Sequence, residues 1–382
     1  MQNLFYQPNT ISIYIHWPFC AKKCPYCDFN SYQSQSPIKY TNWRSAYLKS
    51  IKKQEKYFAN KIVKTIFFGG GTPSLMEPET VKDIIDYFKN HNAKIDCSAI
   101  IKEITLESNP STFEISRFKD FKIAGINRLS TGVQSFNEAN LKFLGRNHNR
   151  LEAIKALEES NKIFERTSFD LIMGLPNQTL ENWQEDLNIA MPFFKEHISL
   201  YQLTIEEGTV FYKNKVKPAE EEMAEGLFNY TVQFLAKQNI NQYEISNFAK
   251  DGCESLHNLN YWLGGEYVGI GPGAHGRVFY ENSWFATVEH KNPTVWLNLA
   301  DNDEKSNFSE LTKVSPQERF DEVIMTALRV KNPLDDNLVK FLDTQKVQKL
   351  INEGLLVLNN NKLSATQQGR LVLNYVISSL VV

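Results

Sequence analysis

Strand-like and helix-like segments alternate over residues 11–205, and this alternation limits the possible folds more than any other feature. Amphipathic segments occur at 41–58, 78–90, 112–124, 137–144 with 150–163, and 180–195. Between them lie short apolar, β-branched runs: "ISIYIH" (11–16), "KTIFFGG" (64–70), "EITLES" (103–108), "NRLSTGVQ" (127–134), "SFDLIMG" (168–174) and "ISLYQLTI" (198–205). Because repeated βα units build parallel sheets, the pattern predicts an α/β fold based on a partial, TIM-like (β/α)6 barrel.

The remaining sequence is less regular. It predicts a helix at 218–238, a strand at 242–249 and an irregular loop rich in glycine and aromatic residues at 256–276. Helices at 316–329 and 335–354, followed by the strand–turn–strand "GLLVLNNNKLSAT", predict a mainly helical, winged-helix-like unit. We therefore expect a barrel (1–215), a barrel extension (216–295) and a C-terminal winged-helix-like domain (296–382).

Charge and cysteine content exclude several classes of protein. The chain of 382 residues has a formal net charge of −2 and no long basic run, so we expect no nucleic-acid partner. It shows no secretory signal and no run of about 18 apolar residues that would span a bilayer. Five cysteines in a chain of this length are no disulfide framework, and we expect a cytoplasmic protein.

Three of the five cysteines fall in the stretch "YIHWPFCAKKCPYCDF". Pro25 disfavours a helix through Cys24, so Cys20, Cys24 and Cys27 are expected on a loop after the first strand. Thiolates suit zinc or iron–sulfur clusters, but structural zinc generally takes four ligands. Three cysteines would leave one iron of a four-iron cluster open to a small molecule. A zinc site and three metal-free thiols remain alternatives.

The spacing Cys-x3-Cys-x2-Cys, with an aromatic residue before the last cysteine, resembles the radical S-adenosylmethionine superfamily. The flanks "YIHWPFC" and "CPYCDFNS" resemble its oxygen-independent coproporphyrinogen III oxidase branch. The resemblance implies a [4Fe–4S] cluster on the three cysteines, an electron donor for it, and S-adenosylmethionine at the carboxyl ends of the strands. The residues implied to contact S-adenosylmethionine are Tyr14, Gly70, Gly71, Thr72, Glu107, Gln134, Arg146 and Asp170.

Two further features separate the members of this branch. The oxidase signature has another cysteine two residues after the third ligand, where this chain has Phe29. The haem-chaperone members share the motif His-Asn-x-x-Tyr-Trp, present here as His257, Asn258, Tyr261 and Trp262. Imidazole is a common axial ligand of haem iron, so the resemblance implies a haem site with His257 as the iron ligand. His275, in "GPGAHG", is a second candidate for that site.

The resemblance thus implies a haem chaperone that delivers haem to an acceptor protein, such as a respiratory enzyme at the membrane, and that could form a homodimer. We expect S-adenosylmethionine cleavage but no coproporphyrinogen oxidase activity, and whether that cleavage is catalytic or a trigger stays open. One alternative is an oxygen-independent coproporphyrinogen III oxidase that tolerates Phe29. Another is a non-catalytic iron–sulfur binding protein.

Overall fold

The computed structural model describes residues 9–34, 37–301, 309–331, 334, 336–360 and 362–381. The strands are β1 (Thr10–Trp17), β2 (Phe19–Cys20), β3 (Tyr32–Gln33), β4 (Ile62–Gly70), β5 (Glu103–Ser108), β6 (Arg128–Gln134), β7 (Arg166–Met173), β8 (His197–Gln202), β9 (Asn241–Gln242), β10 (Asn247–Ala249), β11 (Tyr267–Ile270), β12 (His275–Tyr280), β13 (Ser283–Glu289), β14 (Ser309–Val314), β15 (Leu356–Asn359) and β16 (Lys362–Ala365). The helices are α1 (Tyr40–Gln54), α2 (Pro78–Ile95), α3 (Thr112–Ala124), α4 (Glu138–Phe143), α5 (Arg150–Ile163), α6 (Leu180–Ala190), α7 (Val210–Lys213), α8 (Glu221–Ala236), α9 (Leu256–Trp262), α10 (Pro293–Asp301), α11 (Pro316–Ala327), α12 (Asp336–Val339), α13 (Thr344–Asn352), α14 (Gln367–Leu371) and α15 (Leu373–Leu380).

One long sheet organises the chain, in the order β14-β13-β12-β11-β1-β4-β5-β6-β7-β8-β10-β9. The stretch from β11 to β8 is parallel, and both flanks are antiparallel. The six strands predicted from the sequence are β1 and β4 to β8, in the expected order, so the partial barrel is confirmed. No described helix is long and apolar enough to cross a membrane.

Helices cover the sheet because their apolar residues recur on one face. In α2, for example, Val81, Ile84, Ile85 and Phe88 are fully buried beside strand residues such as Phe68. Burying each such side chain contributes about 1.5–3 kcal/mol. Packing of this kind fixes the strand ends, which carry the polar residues predicted to form the site.

The prediction of an irregular loop over 256–276 is wrong. Residues in this stretch form α9 and β11, joined by a turn, before β12 begins. The Ser255 hydroxyl accepts a hydrogen bond from the Asn258 N–H and so caps α9, and Gly264 (φ +70°) follows its end in the left-handed region. Strand β11 is stabilised by pairing with β1, which lies more than 250 residues earlier in the sequence. The local sequence does not reveal such a contact.

Two other predicted elements are divided. The strand expected at 242–249 is a short antiparallel pair, β9 and β10. The helix expected at 335–354 is interrupted between α12 and α13. The Asp343 carboxylate accepts hydrogen bonds from the Gln345 and Lys346 N–H groups, which starts a new helix at Thr344.

The C-terminal region follows the predicted order of helices and then a hairpin, β15–β16. Its core includes Phe320, Ile324, Leu350 and Leu363. Arg319 joins this region to the barrel, because its guanidinium lies 4.1 Å from the centroid of the Trp284 ring and donates to the carbonyl of Gly264. The C-terminal region is therefore in contact with the turn that follows α9.

Candidate functional site

A cavity of about 340 Å³ opens at the carboxyl ends of the parallel strands, and we call it the cysteine cavity. It brings together ten of the residues predicted for the cluster and S-adenosylmethionine: Cys20, Cys24, Cys27, Gly70, Gly71, Thr72, Glu107, Gln134, Arg146 and Asp170. Parallel strands collect the side chains at their carboxyl ends along one edge, which explains why distant motifs meet here.

The cysteines lie on a closed loop rather than a helix. Strand β2 pairs with β3, which joins the two ends of the loop. Within it, the Lys23 ammonium donates to the carbonyls of Phe29 and Ser31, each at 3.1 Å, and the Cys27 N–H donates to the Cys24 carbonyl at 3.1 Å. These bonds hold the loop over the cavity.

The cysteine loop presents three thiols to the cavity. Among the described residues, no three histidine, cysteine, aspartate or glutamate side chains are gathered closely enough to hold one metal ion. Burial, with Cys27 and Cys24 close by, raises the pKa of Cys20 to about 11, so this thiol must lose its proton to bind metal. In a four-iron cluster the three cysteines bind separate irons, which leaves the fourth iron open to a small ligand.

Arg146 connects the loop to the strand ends. Its guanidinium donates to Cys24 Sγ at 3.5 Å and to the Gly132 carbonyl at 2.7 Å, while its buried Nε has no hydrogen-bond partner in the described part of the chain. A buried, unpartnered donor is costly and suits a ligand that supplies an acceptor.

Gly145 is a functional position that the sequence reasoning missed. It has φ +69°, and a Cβ there would lie 2.6 Å from Pro25 Cδ in the cysteine loop. The loop is also held by Phe211, whose N–H donates to the Pro25 carbonyl at 3.0 Å. The glycine in "LGRNH" could have signalled such a close approach, but nothing local pointed to Phe211.

Two carboxyl groups line the cavity, Glu107 on β5 and Asp170 on β7, and β6 lies between these strands. Burial, and secondarily the charge of Asp170, raises the pKa of Glu107 to about 8, although a hydrogen bond from the Gly70 backbone opposes the shift. Burial also raises the pKa of Asp170 to about 6, against a hydrogen bond from Ser199. A bound cation or a set of hydroxyl donors would stabilise both carboxylates. The pair therefore suits a ligand with ribose hydroxyls and a positive charge.

The glycines at the end of β4 are required by close approach to the cysteine loop. At Gly71 a Cβ would lie 2.6 Å from the Phe19 carbonyl oxygen. The N–H groups of Gly71 and Thr72 donate to Trp17 and Phe19 carbonyls, at 2.7 and 2.8 Å. These backbone donors are thus used within the protein, and ligand contact at Gly70, Gly71 and Thr72 stays a prediction.

Gln134 and Tyr14 occupy different surroundings. Gln134 ends β6 in the left-handed region (φ +71°), an uncommon conformation for this residue type that is concentrated at functional sites. Tyr14 is half-buried and does not line the cysteine cavity. Its hydroxyl shares a 3.0 Å hydrogen bond with His16 Nδ1, and its ring stacks on Phe67. The role of Tyr14 in binding S-adenosylmethionine stays a prediction.

The His-Asn-x-x-Tyr-Trp segment lies at the other end of the barrel. Glu103, the first residue of β5, accepts a hydrogen bond from the His257 N–H at 2.9 Å and pairs with Arg166, the first residue of β7. Glu107, in contrast, lies near the carboxyl end of β5. The structure therefore does not bring His257 to the cysteine cavity.

His257 itself is fully engaged with protein groups. It is 1% exposed, and its Nδ1 and Nε2 each form a 2.7 Å hydrogen bond, to the hydroxyls of Thr65 and Tyr261. Its ring stacks on Phe67 with centroids 5.0 Å apart, and burial lowers its pKa to about 3. Three residues predicted beside it are half-buried: Asn258, Tyr261 and Trp262. His275 is exposed at the start of β12.

Comparison with known proteins agrees with this architecture. Residues 14–190 match the model of the radical SAM superfamily, and residues 314–372 match that of the HemN C-terminal domain. Among solved structures, coproporphyrinogen III oxidase (HemN) from Escherichia coli superposes with a TM-score of 0.81, covering 99% of this chain and 92% of that one. At 19% identity this likeness shows a shared fold.

Curated relatives extend over nearly the whole chain. The protein named heme chaperone HemW from Buchnera aphidicola subsp. Acyrthosiphon pisum is 35% identical over 95% of this chain and 96% of its own length. HemW from Escherichia coli is 39% identical over 75% of each chain. A mitochondrial radical S-adenosyl methionine domain-containing protein 1 from Danio rerio is 31% identical over 97% of this chain and 86% of its own. With the cysteine cavity and the barrel, these matches establish that the chain belongs to the HemW family of the radical SAM superfamily.

Proposed function

We propose that this protein is a haem chaperone, which binds haem, carries a [4Fe–4S] cluster with S-adenosylmethionine in the cysteine cavity, and delivers haem to an acceptor protein. The observation that carries the proposal is the match over 95% of the chain to a protein named as a heme chaperone. Phe29, which stands where the oxidase signature has a further cysteine, lines the same cavity and supports the choice of chaperone over oxidase.

The residues of the cavity fit the cluster and its ligand. Cys20, Cys24 and Cys27 would hold three irons, and the guanidinium of Arg146 donates a hydrogen bond to Cys24 Sγ. When bound and reduced, the cluster supplies the electron that cleaves S-adenosylmethionine homolytically. Glu107 and Asp170 offer acceptors for the hydroxyl and ammonium groups of that ligand.

The finer parts of the proposal come from the family resemblance. We propose a respiratory enzyme at the membrane as the acceptor, a separate electron donor for the cluster, a cytoplasmic location and a homodimer. Phe29 is 56% exposed at the cavity, which supports access from outside for such a donor. We also propose that the chain is divided into the three domains predicted from its sequence, 1–215, 216–295 and 296–382.

The test uses the full chain, reconstituted without oxygen, and a control in which all three cluster cysteines are serine. We expect haem to give a Soret band with both proteins and to pass to a haem-free acceptor. We expect the cluster-containing protein to form 5′-deoxyadenosine from S-adenosylmethionine, and the triple-serine control to form none. Failure to bind haem would refute the chaperone function.

The same preparation separates the two alternatives. Conversion of added coproporphyrinogen III to protoporphyrinogen would establish the oxidase in place of the chaperone. Haem binding without any 5′-deoxyadenosine would assign the cluster a non-catalytic role.

A further inference from the structure

Asn109 links two of the residues that are implied to contact S-adenosylmethionine. It follows β5 directly and lines the cysteine cavity. Its side-chain Nδ2 donates to Thr72 Oγ1 at 2.9 Å, and its Oδ1 accepts a hydrogen bond from the Arg146 guanidinium. Thr72 lies just after β4 and Arg146 just after α4, so one short side chain connects segments that are remote in sequence.

The chemistry of its two partners fixes the orientation of the Asn109 amide. A guanidinium has only donors, so the carbonyl oxygen of the amide must face Arg146, and its NH2 group is left for Thr72. Pro110 restricts the backbone of Asn109 to extended conformations. The Asn109 N–H also donates to a Glu114 carboxylate oxygen at 2.6 Å. Both the backbone and the side chain of Asn109 are therefore held in place.

Glu114 anchors this contact from α3. It is 3% exposed, and its carboxylate also accepts hydrogen bonds from the hydroxyls of Ser74 and Ser111. Ser74 lies in the turn after β4, and its carbonyl accepts a hydrogen bond from Arg117 at 2.8 Å. Asn109 thus rests on a buried network that joins α3 to the turn after β4, while its side-chain amide lies at the cavity.

Asn109 also limits where the Arg146 guanidinium can point. Nη2 of this side chain donates to Asn109 Oδ1 and to the Gly132 carbonyl, and Nη1 donates to Cys24 Sγ. The two acceptors of Nη2 are neutral, so they fix the guanidinium without cancelling its charge. A guanidinium held in this way can bind a carboxylate through two parallel hydrogen bonds.

We propose that Asn109 is a positioning residue for S-adenosylmethionine, which holds the Arg146 guanidinium in the orientation that binds the carboxylate of this ligand. The inference deepens the proposed function and rests on it, because it requires S-adenosylmethionine in the cysteine cavity. Asn109 acts through Arg146 rather than on the reacting atoms. Without its amide, Nη2 keeps only the Gly132 carbonyl, and the guanidinium can turn away from the ligand.

The experiment measures by calorimetry how the full-length protein, reconstituted without oxygen, binds S-adenosylmethionine and decarboxylated S-adenosylmethionine. The second ligand keeps the sulfonium and the nucleoside but lacks the carboxylate. Asn109→Ala removes both side-chain contacts. Asn109→Asp keeps an acceptor for Arg146 and loses the donor to Thr72. All affinities are compared at equal iron content.

Asn127→Ala is the matched control. The Asn127 side chain also makes two hydrogen bonds, from the Ile104 N–H at 2.7 Å and to the Lys102 carbonyl at 3.1 Å. These contacts lie beside the amino-terminal end of β5, whereas Asn109 follows its carboxyl end. Unfolding curves on the same samples show how much stability each variant loses.

We expect Asn109→Ala to bind S-adenosylmethionine about ten-fold more weakly than wild type, and the decarboxylated ligand within about two-fold, because a buried hydrogen bond that orients Arg146 is lost. Asn109→Asp should stay within about three-fold of wild type for both ligands, because the acceptor for Arg146 remains. Asn127→Ala should lose stability but not affinity.

Wild-type affinity in Asn109→Ala would overturn the assignment, as would an equal loss for both ligands or a similar loss in Asn127→Ala. Asn109→Asp that binds as weakly as Asn109→Ala would also overturn it. Wild-type protein that binds no S-adenosylmethionine would instead refute that part of the proposed function, and the inference with it.

Discussion

Replacing Gly145 by alanine should displace the cysteine loop. At φ +69° an alanine costs about 1–2 kcal/mol of backbone strain. Its Cβ would also lie 2.6 Å from Pro25 Cδ, roughly 1 Å inside the usual carbon–carbon contact distance. The proline ring is rigid, so the loop must shift, and overpacking of this kind costs about 1–3 kcal/mol more.

The chain offers a matched control. Gly252 also has positive φ, at +79°, but a Cβ there would meet nothing within 4 Å. Gly252→Ala therefore carries the backbone strain without the clash. We expect Gly145→Ala to be less stable than Gly252→Ala by about 1–3 kcal/mol.

The functional readout is iron and sulfide per chain after anaerobic reconstitution, measured with unfolding curves on the same samples. Because Pro25 follows Cys24 directly, a shift of the proline moves a cluster ligand. Gly145→Ala should hold markedly less iron than Gly252→Ala. Equal iron content in the two folded variants would refute the argument that Gly145 positions the loop.

Three other changes test separate contacts. Arg146→Lys keeps the positive charge but loses the forked contact to Cys24 Sγ and the Gly132 carbonyl, and we expect about ten-fold weaker S-adenosylmethionine binding by calorimetry with iron content unchanged. Glu103→Gln removes one of the two carboxylates that pair with Arg166, which keeps Glu196, and should lower the free energy of unfolding by about 1–3 kcal/mol in denaturant titrations. Burial raises the pKa of Glu289 to about 8, above its unfolded value, so its contribution to stability is present at low pH and is lost as pH rises through 8. Wild type should therefore lose about 3 kcal/mol relative to Glu289→Gln between pH 5 and pH 8, and parallel stability curves for the two proteins would contradict this.

Local patterns in the sequence were sufficient for the barrel. Apolar β-branched runs and amphipathic segments report which face of an element is buried, and the six strands and their order followed from them. The family resemblance carried by the cysteine spacing and the strand-end motifs implied ten residues of the cysteine cavity, and the fold brings them together because parallel strands gather their carboxyl ends at one edge.

Contacts between distant segments decided the rest. A sequence cannot show that Glu103 and Thr65 bind the backbone and ring of His257, so the burial of this predicted haem ligand is known only from the tertiary structure, and its role in haem binding stays a prediction. The same holds for Pro25 against Gly145, and for Asn30 against Pro272. Residue type and spacing therefore determined what chemistry the chain carries. Tertiary packing decided which side chains are accessible to perform it, because burial and hydrogen bonding depend on neighbours that are remote in sequence.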